Sequence, residues 1–199
     1  MKTPQTHFRI AIIGAGHLGA SLGTKWAAHG HQIRFGIRDL YSPRVQSILA
    51  AQLAGVEIDT IESAIQFAEL VVLAIPPEAI PAIIAQYYHE LRGKVLLDPS
   101  HSTHELFGSR QPFWGLCLLG LENLEQPYFG DMPADLFYCS ASDEFVCVRM
   151  DMLIGQLGFR PVRLGGLEFV GLLNAMKCAL IGISKSRRFG HRLSFKLLS

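Results

Sequence analysis

The sequence predicts an α/β fold in which helices wrap a doubly wound, mostly parallel sheet, with a helical extension at the C-terminal end. Short apolar strands alternate with helical segments through the first half of the chain, a pattern typical of a parallel sheet. A glycine-rich turn joins the first strand to the first helix. The chain has 199 residues, of which 49% are hydrophobic, enough to bury one core. We therefore expect a single domain over residues 1–199, with 166–199 as the helical extension.

Five strands are predicted in the first half from short apolar runs. They cover residues 8–13, 32–36, 56–58, 70–75 and 94–98. Helices are predicted over 17–29, 43–53 and 80–90, and a further helix follows the third strand. Pro43 suits the first turn of its helix, and Asp59 with Glu62 resembles a capping box at the start of the helix after the third strand. Pro76 and Pro77 stop the fourth strand.

The second half of the chain has a different pattern. Two more strands are predicted within 114–121 and 136–141, a helix over 144–157 and a last strand over 159–165. A long apolar helix within 164–184 closes the chain and is interrupted by Glu168, Asn174 and Lys177. Because each of these side chains is costly in hydrocarbon, a buried helix or a subunit-interface helix is favoured over a membrane span. The apolar surplus of this helix favours a homodimer that uses its exposed face.

Charge and cysteine usage narrow the class of protein. The formal net charge is +1, which gives no overall electrostatic reason to bind nucleic acid or an anionic membrane. The N-terminal segment MKTPQTHF lacks the apolar region of a secretory signal, so we expect a cytoplasmic protein. The cysteines form no CxxC pair and are expected to be reduced core residues. They are Cys117, Cys139, Cys147 and Cys178.

The segment GAGHLG, from Gly14 to Gly19, follows a predicted buried strand and opens a predicted helix. In that context the pattern favours dinucleotide binding by a Rossmann-type fold. The first glycine permits a tight turn, the second lets a pyrophosphate approach the backbone, and the third lets the helix pack closely on the sheet. Amides around Gly16 and Leu18 can then donate to phosphates at the positive end of the helix dipole. The alternative is a glycine-rich turn that binds no ligand.

Arg38 and Asp39 follow the second strand, where this fold selects its cofactor. An acidic side chain there accepts hydrogen bonds from the ribose hydroxyls of NAD, whereas an arginine neutralises the 2′-phosphate of NADP. Because Arg38 comes first, directly after Ile37, we expect NADP as the cofactor, with Asp39 capping the following segment. The alternative for Arg38 is a solvated surface side chain.

Several stretches of the sequence resemble one family of oxidoreductases. They are IIGAGHLGASLG, GHQIRFGIRD, LVVLAIP, GKVLLDPSHS, LGFRPVRLGGLE and the tail LSFKLL. The chain is similar over nearly its whole length to the NADP-dependent oxidoreductases typified by the archaeal NADPH:coenzyme F420 (deazaflavin) reductase. That family also includes the cytoplasmic domain of the STEAP six-transmembrane metalloreductases. The resemblance implies hydride transfer between NADP(H) and a flavin or deazaflavin acceptor such as FMN, FAD or coenzyme F420.

The resemblance also implies which residues bind the cofactor. Those implied to hold the pyrophosphate form the glycine loop of Gly14, Ala15, Gly16, His17, Leu18 and Gly19. Arg38 is implied to hold the 2′-phosphate. Residues implied to line the cofactor or lie near the nicotinamide are Ala74, Ile75, Pro76, Pro99 and Ser100. The sequence departs from the family pattern at Ile37, where the family has a serine, and at LGLENL, residues 119–124, where Lys-x-Phe-Asn is common.

The sequence contains no recognisable pair of catalytic nucleophile and base. Hydride transfer to a flavin-like ring depends on stacking of two ring planes and requires no side-chain acid. A carbonyl or imine reductase also needs a proton donor, for which His101 and Ser100, with His104 nearby, are the candidates. His101, His104 and Glu105 supply too few ligands for a metal, so none is expected.

We therefore expect an NADP-dependent oxidoreductase that acts on a small-molecule redox acceptor. The alternatives are an NADP-binding sensor or scaffold without turnover and an imine reductase of the pyrroline-carboxylate type. The basic tail from Lys185 to Ser199 is expected to be solvated or associated with the dimer. Its alternative role is contact with an anionic acceptor.

Overall fold

The computed structural model describes residues 7–99, 113–116, 121–140, 144–185 and 192–198. The chain folds as two compact units, Met1–Leu97 and Asp98–Ser199. The expectation of a single domain with a helical extension from residue 166 stays a prediction.

The first unit carries the five parallel strands that the sequence predicts. They are β1 (Arg9–Ile13), β2 (Gln32–Gly36), β3 (Val56–Asp59), β4 (Leu70–Leu73) and β5 (Val95–Asp98). The helices are α1 (His17–Ala28), α2 (Pro43–Ala50), α3 (Ile61–Phe67), α4 (Ile80–Gln86) and α5 (Tyr88–Leu91), and a 3₁₀ turn covers Pro77–Ala79. The predicted Rossmann-type α/β fold is therefore confirmed.

The strands of the first unit lie in the order β5-β4-β1-β2-β3 and are all parallel. Ile10 of β1 lies opposite Ile33 of β2 on one side and Leu70 of β4 on the other. The chain extends the sheet from β1 to β3 and then returns to the other side of β1 with β4. The carboxyl ends of β1 and β4 therefore flank a topological switch point, where open α/β sheets bind their ligands.

The core of the first unit is built on its central strands. Every residue of β4 is buried, as is every residue of β1 after Arg9. Such continuous burial is typical of parallel strands covered on both faces. Trp26 of α1 is 1% exposed and is among the largest buried side chains. Burial of such a ring contributes roughly 3 kcal/mol, which holds α1 against the sheet.

Two predicted helices of the first unit differ from the observed ones in length. The helix predicted over 80–90 is divided at Tyr87, whose φ of −114° and ψ of 27° leave the helical region. The helix predicted over 43–53 ends at Ala50. A turn follows in which Gln52 and Gly55 have positive φ values of 45° and 76°. These backbone angles end α2 before its apolar pattern ends.

The start of α3 also differs from the prediction. Thr60, not Asp59, is its N-cap, and the Thr60 hydroxyl accepts a hydrogen bond from the Ser63 amide at 3.3 Å. The Asp59 carboxylate instead accepts from the Ser63 hydroxyl and from the Thr60 amide. These two hydrogen bonds, from Ser63 first, lower the pKa of Asp59 below its ordinary value.

The sequence predicts surface or loop positions for His7, His29, His31, His89 and His191, of which His191 lies outside the described residues. The structure corrects this expectation for His31. It is 1% exposed, and its Nδ1 atom accepts a hydrogen bond from the Phe8 amide at 3.0 Å. Its ring stacks on Phe8 with centroids 5.2 Å apart. The acceptor role of Nδ1 satisfies a backbone donor at the start of β1, so His31 has a structural function.

The second unit contains a mixed set of strands. They are β6 (Phe113–Leu116), β7 (Tyr128–Phe129), β8 (Met132–Pro133), β9 (Asp135–Ser140) and β10 (Arg160–Gly165). Its helices are α6 (Leu121–Glu125), α7 (Glu144–Gln156) and α8 (Val170–Lys185), with a 3₁₀ turn at Leu167–Phe169. The fully buried β9 pairs with β6 in antiparallel and with β10 in parallel orientation, while β7 and β8 form a hairpin.

The segment LGLENL and the cysteines bring further corrections. The strand predicted within 114–121 ends at Leu116, and the last residues of LGLENL begin helix α6. Cys139 and Cys147 are buried as expected, and burial raises the pKa of the Cys139 thiol to about 11. Cys178 is exposed, contrary to the prediction. Cys117 lies outside the described residues.

The apolar helix α8 is largely exposed in the single chain. Leu167–Lys185 is long and apolar enough to cross a membrane by length and composition alone, with a mean hydropathy of 1.5, which is weak evidence for a span. Only 17% of this window is buried, so the expectation of a buried helix is wrong for the isolated chain. Its exposed apolar residues include Leu172, Ile181 and Ile183. The alternative of a subunit-interface helix stays a prediction.

Residues 192–198 form no helix and bind along the second unit. The Asn123 side chain, from LGLENL, donates to the Leu193 carbonyl at 2.6 Å, and the Arg192 guanidinium donates to the Tyr128 carbonyl. Lys196 donates to the Pro133 carbonyl at 2.6 Å. The expectation of a solvated tail is therefore wrong for Arg192 and Lys196, whose charges are used within the chain.

Asp135 is the anchor of this C-terminal segment. Its side chain is 0% exposed and lies 2.6 Å from Arg160 Nη2 and 3.0 Å from Lys196 Nζ. The Leu197 amide donates to the same carboxylate at 2.7 Å. Burial raises the pKa of Asp135, but hydrogen bonds from Arg160, Leu197 and Lys196 outweigh burial and bring that pKa to about 2. The folded unit thus favours the ionised carboxylate.

Asp135→Asn is expected to lower the free energy of unfolding by about 3 kcal/mol, because two cations lose a buried carboxylate partner. Asp131→Asn, at an exposed position, is the matched control and should change stability by less than about 0.5 kcal/mol. Denaturant unfolding at neutral pH measures both. Equal stability of the two variants would contradict this role of Asp135.

The same carboxylate predicts the acid response of the protein. Its pKa falls from 3.8 to about 2 on folding, so its contribution to stability is present above pH 4 and is lost as the pH approaches 2. Asp135→Asn should therefore lose less stability over this pH interval than the wild-type protein does.

Candidate dinucleotide-binding site

A cleft of about 480 Å³ lies within the first unit, at the carboxyl ends of β1 and β2. Three segments supply most of its lining: the glycine loop, the residues after β2 and one side of α4. Its position beside the topological switch point is where this sheet class binds dinucleotides. The loop, the charged residues and α4 determine what the cleft can hold.

Gly14 and Gly19 are required by close backbone packing. Gly14 has a φ of 107°, and a Cβ atom there would lie 2.5 Å from the Ala74 carbonyl oxygen. A Cβ at Gly19 would lie 2.2 Å from the Gly14 carbonyl oxygen and 3.1 Å from Ile12 Cγ2. Both distances are shorter than a real Cβ contact allows, so the tight turn and the packing of α1 on β1 need these glycines.

Gly16 differs from these two glycines, because the place that its Cβ atom would take is open space. A Cβ atom there would meet nothing within 4 Å, although Gly16 is among the lining residues of the cleft. No packing within the described part of the chain therefore demands a glycine at this position. The space that a side chain would fill is the space a pyrophosphate needs to approach the backbone. The binding role of Gly16 stays a prediction, for which this space is available.

The N-terminus of α1 completes an anion-binding arrangement. Gly16 is its N-cap with a φ of −66°, no side chain caps the helix, and its first turn contains no acidic residue. The first amides of a helix have no partner inside the helix and carry its positive dipole end. His17, at the first position of α1, is exposed, and Leu18 is half-buried. A phosphate group suits this helix end.

Two further glycines contribute to the site and were missed in the sequence. A Cβ at Gly23 would lie 2.5 Å from Phe35 Cζ, and one at Gly36 would lie 2.8 Å from Ile13 Cδ1. Gly23 lies one turn after Gly19 on the same face of α1. Because Gly23 has no side chain, α1 can lie close to Phe35 of β2. The i, i+4 spacing of Gly19 and Gly23 was the sequence signal for this close packing.

Arg38 and Asp39 both line the cleft and are both exposed. The Tyr41 amide donates to Asp39 Oδ1 at 2.9 Å, so Asp39 closes the turn before α2, whereas the N-cap of that helix is Ser42 and not Asp39. Within the described part of the chain, the Arg38 guanidinium has no hydrogen bond or ion pair. It is therefore available to an anionic ligand.

Of the residues after β4, one lines the cleft and another supports the glycine loop. Ile75 lines the cleft, whereas Ala74 and Pro76 are not among its described lining residues. Ala74 supports the glycine loop, since its amide donates to the Ile13 carbonyl at 3.0 Å. Ser100 and His101 lie outside the described residues, as does His104. Their predicted roles near the nicotinamide stay predictions.

One side of α4 also lines the cleft, and sequence reasoning missed it. The lining residues there are Ala79, Ala82, Ile83 and Gln86. Their i, i+3, i+4, i+7 spacing marks one face of a helix. The small and apolar side chains of this face suit a flat, apolar ring such as adenine.

Residues 9–102 match the family model described as NADP oxidoreductase, coenzyme F420-dependent. The matched segment contains the glycine loop, Arg38 and the end of β4. The predicted resemblance to these NADP-dependent oxidoreductases is therefore confirmed over this segment. The further resemblance to the STEAP metalloreductase domain stays a prediction.

Solved structures of several reductases share the fold of this chain. A candidate F420-dependent NADP-reductase from Arthrobacter sp. FB24 superposes with a TM-score of 0.78 at 20% sequence identity, over 96% of this chain and 100% of that protein. The NADP⁺ complex of an imine reductase from Myxococcus stipitatus gives 0.70 at 19% identity, over 90% of this chain. A pyrroline-5-carboxylate reductase from Coxiella burnetii gives 0.66 at 13% identity, over 90% of this chain and 68% of that protein. This chain spans 62% of the length of the imine reductase.

The different surroundings of Gly16 and Gly19 predict opposite effects of the same substitution. Gly16→Ala should change the free energy of unfolding by less than about 1 kcal/mol but weaken dinucleotide binding at least about tenfold, because the methyl group occupies the phosphate space. Gly19→Ala should cost about 3 kcal/mol of stability, because the methyl group meets the Gly14 carbonyl. Thermal unfolding and calorimetric titration with NADP⁺ measure these effects. Equal losses of stability in both variants would contradict the assigned role of Gly16.

Proposed function

We propose that this chain is an NADP(H)-dependent oxidoreductase that transfers hydride between the nicotinamide and a flavin or deazaflavin acceptor, such as FMN, FAD or coenzyme F420. The observation that carries the proposal is the cleft in which Gly16 leaves open space beside a helix N-terminus without a side-chain cap. In the same cleft Arg38 supplies a cation that has no partner among the described residues. A pyrophosphate suits the helix N-terminus at Gly16, and a ribose phosphate suits the cation at Arg38. The description of the family matched by residues 9–102 supports the same cofactor.

The preference for NADP over NAD rests on Arg38. A guanidinium can form charge-assisted hydrogen bonds with a phosphate, each contributing about 1.5–3 kcal/mol. At about 1.4 kcal/mol per tenfold change, one such bond corresponds to roughly 10- to 100-fold preference. The Asp39 carboxylate, which suits the free ribose hydroxyls of NAD, already accepts the Tyr41 amide. Asp39 Oδ2 is still able to accept, so the preference for the phosphorylated cofactor rests on Arg38.

The chain's part in the reaction is to bind and orient the cofactor. NADPH supplies the hydride when bound. The α1 N-terminus and the loop at Gly16 hold the pyrophosphate, Arg38 holds the ribose phosphate, and the apolar side of α4 covers the adenine. Fixing the adenosine half restricts where the nicotinamide can lie, and restriction of reacting rings to stacking distance is the main source of rate in hydride transfer between them.

Two other functions account for part of the same geometry. An imine reductase is favoured by the superposition on the Myxococcus stipitatus enzyme and on the Coxiella burnetii pyrroline-5-carboxylate reductase. A sensor or scaffold that binds NADP without turnover needs only the cleft. The segment LGLENL departs from the family pattern, which agrees with a changed or absent acceptor, although its Asn123 side chain also binds the Leu193 carbonyl.

The test is an anaerobic NADPH oxidation assay with FMN, FAD, coenzyme F420, a ferric chelate and a cyclic imine. We expect oxidation that depends on a flavin or deazaflavin and a rate with NADH that is at least about tenfold lower. Gly16→Ala serves as the folded control in which the cofactor site is weakened. Oxidation with the imine alone would replace the proposal by imine reduction. NADP binding without turnover on any acceptor would favour the sensor.

We further propose that the protein is a homodimer in which the exposed face of α8 contacts a second copy, and that it acts in the cytoplasm without spanning a membrane or binding nucleic acid. Four large apolar side chains, Phe169, Leu172, Ile181 and Ile183, are each at least 39% exposed along this helix and its preceding turn. Exposed apolar surface of this kind is usually covered by another protein surface.

Sedimentation velocity should give a mass near twice the 22.0 kDa of the chain. Leu172→Lys should reduce it to the monomer mass. Leu49→Lys in α2 is a closely matched control, because Leu49 is 49% and Leu172 48% exposed, and should leave the dimer unchanged. A wild-type mass of one chain at all concentrations would overturn the dimer.

A further inference from the structure

Ser42 is a second polar side chain beside Arg38 that the proposed binding scheme leaves without a role. It lines the cleft and is half-buried. Its backbone, with φ −61° and ψ 145°, places it at the N-cap of α2, yet its hydroxyl makes no capping hydrogen bond. Within the described part of the chain the hydroxyl has no other partner. A serine at this position ordinarily accepts from an amide of the first helical turn, so this hydroxyl is unused by the fold.

The polar side chains that line the cleft are few enough to compare one by one. Of the fifteen described lining residues, four have polar side chains, and they are Arg38, Asp39, Ser42 and Gln86. Gln86 Nε2 donates to the Tyr87 hydroxyl at 3.1 Å. Ionised Asp39 can only accept, and its Oδ1 atom already accepts the Tyr41 amide. Within the described part of the chain, Arg38 and Ser42 are therefore the lining residues whose side-chain donors make no hydrogen bond, while Gln86 keeps one of its two donors.

The charges at this end of the cleft make a neutral donor important. Arg38 and Asp39 are adjacent and carry opposite charges, so their combined field at a distance is small. Attraction of a phosphate must then come from short hydrogen bonds. Ile37 cannot add one, because its side chain is apolar and its amide donates to the Asp59 carbonyl at 3.0 Å.

We propose that Ser42 determines specificity for the 2′-phosphate of the cofactor. Its hydroxyl donates to a phosphate oxygen while the Arg38 guanidinium neutralises the charge of the same group. Both side chains line the same cleft, Arg38 from the start and Ser42 from the end of the turn between β2 and α2. The inference rests on the proposed function, because it supposes that the cleft holds NADP.

Binding of two adenosine fragments tests the role of Ser42 without any redox reaction. The probes are 2′,5′-ADP, which carries the 2′-phosphate, and 5′-AMP, which lacks it, each titrated into the full-length protein by calorimetry. The wild-type protein should bind 2′,5′-ADP more tightly. Ser42→Ala should weaken binding of 2′,5′-ADP about tenfold and leave binding of 5′-AMP unchanged. Ser42→Thr, which keeps the hydroxyl, should restore it.

Ser47→Ala is the matched control, because Ser47 lies in the same helix and its hydroxyl donates to the Pro43 carbonyl at 3.0 Å. It should bind both probes as the wild type does. Thermal unfolding of Ser42→Ala should match the wild type, since the hydroxyl makes no cap bond. A Ser42→Ala protein that binds 2′,5′-ADP as tightly as the wild type, or loses both probes equally, overturns the inference alone. A wild-type protein that does not distinguish the probes overturns the NADP assignment and the Ser42 role together.

Discussion

The close approach of two backbone segments at Gly14 and Gly19 is the constraint on which the candidate site depends. A Cβ atom at Gly14 would lie 2.5 Å from the Ala74 carbonyl oxygen, and one at Gly19 would meet the Gly14 carbonyl oxygen. The turn after β1 can therefore touch the end of β4 only because Gly14 has no side chain, and it can touch the first turn of α1 only because Gly19 has none. Together these contacts set the uncapped end of α1 at the carboxyl ends of β1 and β4. Gly16, between the two glycines, then faces open space in the same cleft that Arg38 lines. Two backbone contacts thus position two separate anion-binding features.

The first unit could be predicted closely because its determinants are local in sequence. The bounds predicted for β2 are those observed, and β1 differs by one residue, because continuous apolar runs and glycine turns are read from neighbouring residues. The errors occur where contacts between residues far apart in sequence determine which side chains are buried. His31 is buried because it accepts the Phe8 amide across 23 residues. The proposed role of Ser42 could not be predicted either, because an N-cap serine ordinarily accepts a hydrogen bond from the first turn of its own helix. The structure is needed to see that its hydroxyl makes no such bond.

The second unit was harder to predict because its stabilising contacts join distant segments. Asp135 binds Lys196 and Leu197 across 61 and 62 residues, and no local pattern indicates that a basic tail will be held by a buried carboxylate. The segment LGLENL is a second example of a contact between distant residues. Its departure from the family pattern suggested a change on the acceptor side, yet Asn123 within it is 4% exposed and donates to the Leu193 carbonyl. An unusual residue can therefore reflect the path of the chain terminus and need not reflect the substrate.

The choice of cofactor depends on hydrogen-bond geometry more than on overall charge. The chain has a formal net charge of +1, and the cation at Arg38 stands next to the anion at Asp39, so no strong positive field draws a polyanionic cofactor to the cleft. What the site offers is hydrogen-bond donors at short range: the first amides of α1 at one end and the Arg38 guanidinium at the other. Such donors distinguish ligands by the positions of their phosphates, because a hydrogen bond weakens steeply with misalignment. Selectivity for a 2′-phosphate can therefore arise in a nearly neutral cleft, through where the donors lie and not through how many positive charges surround it.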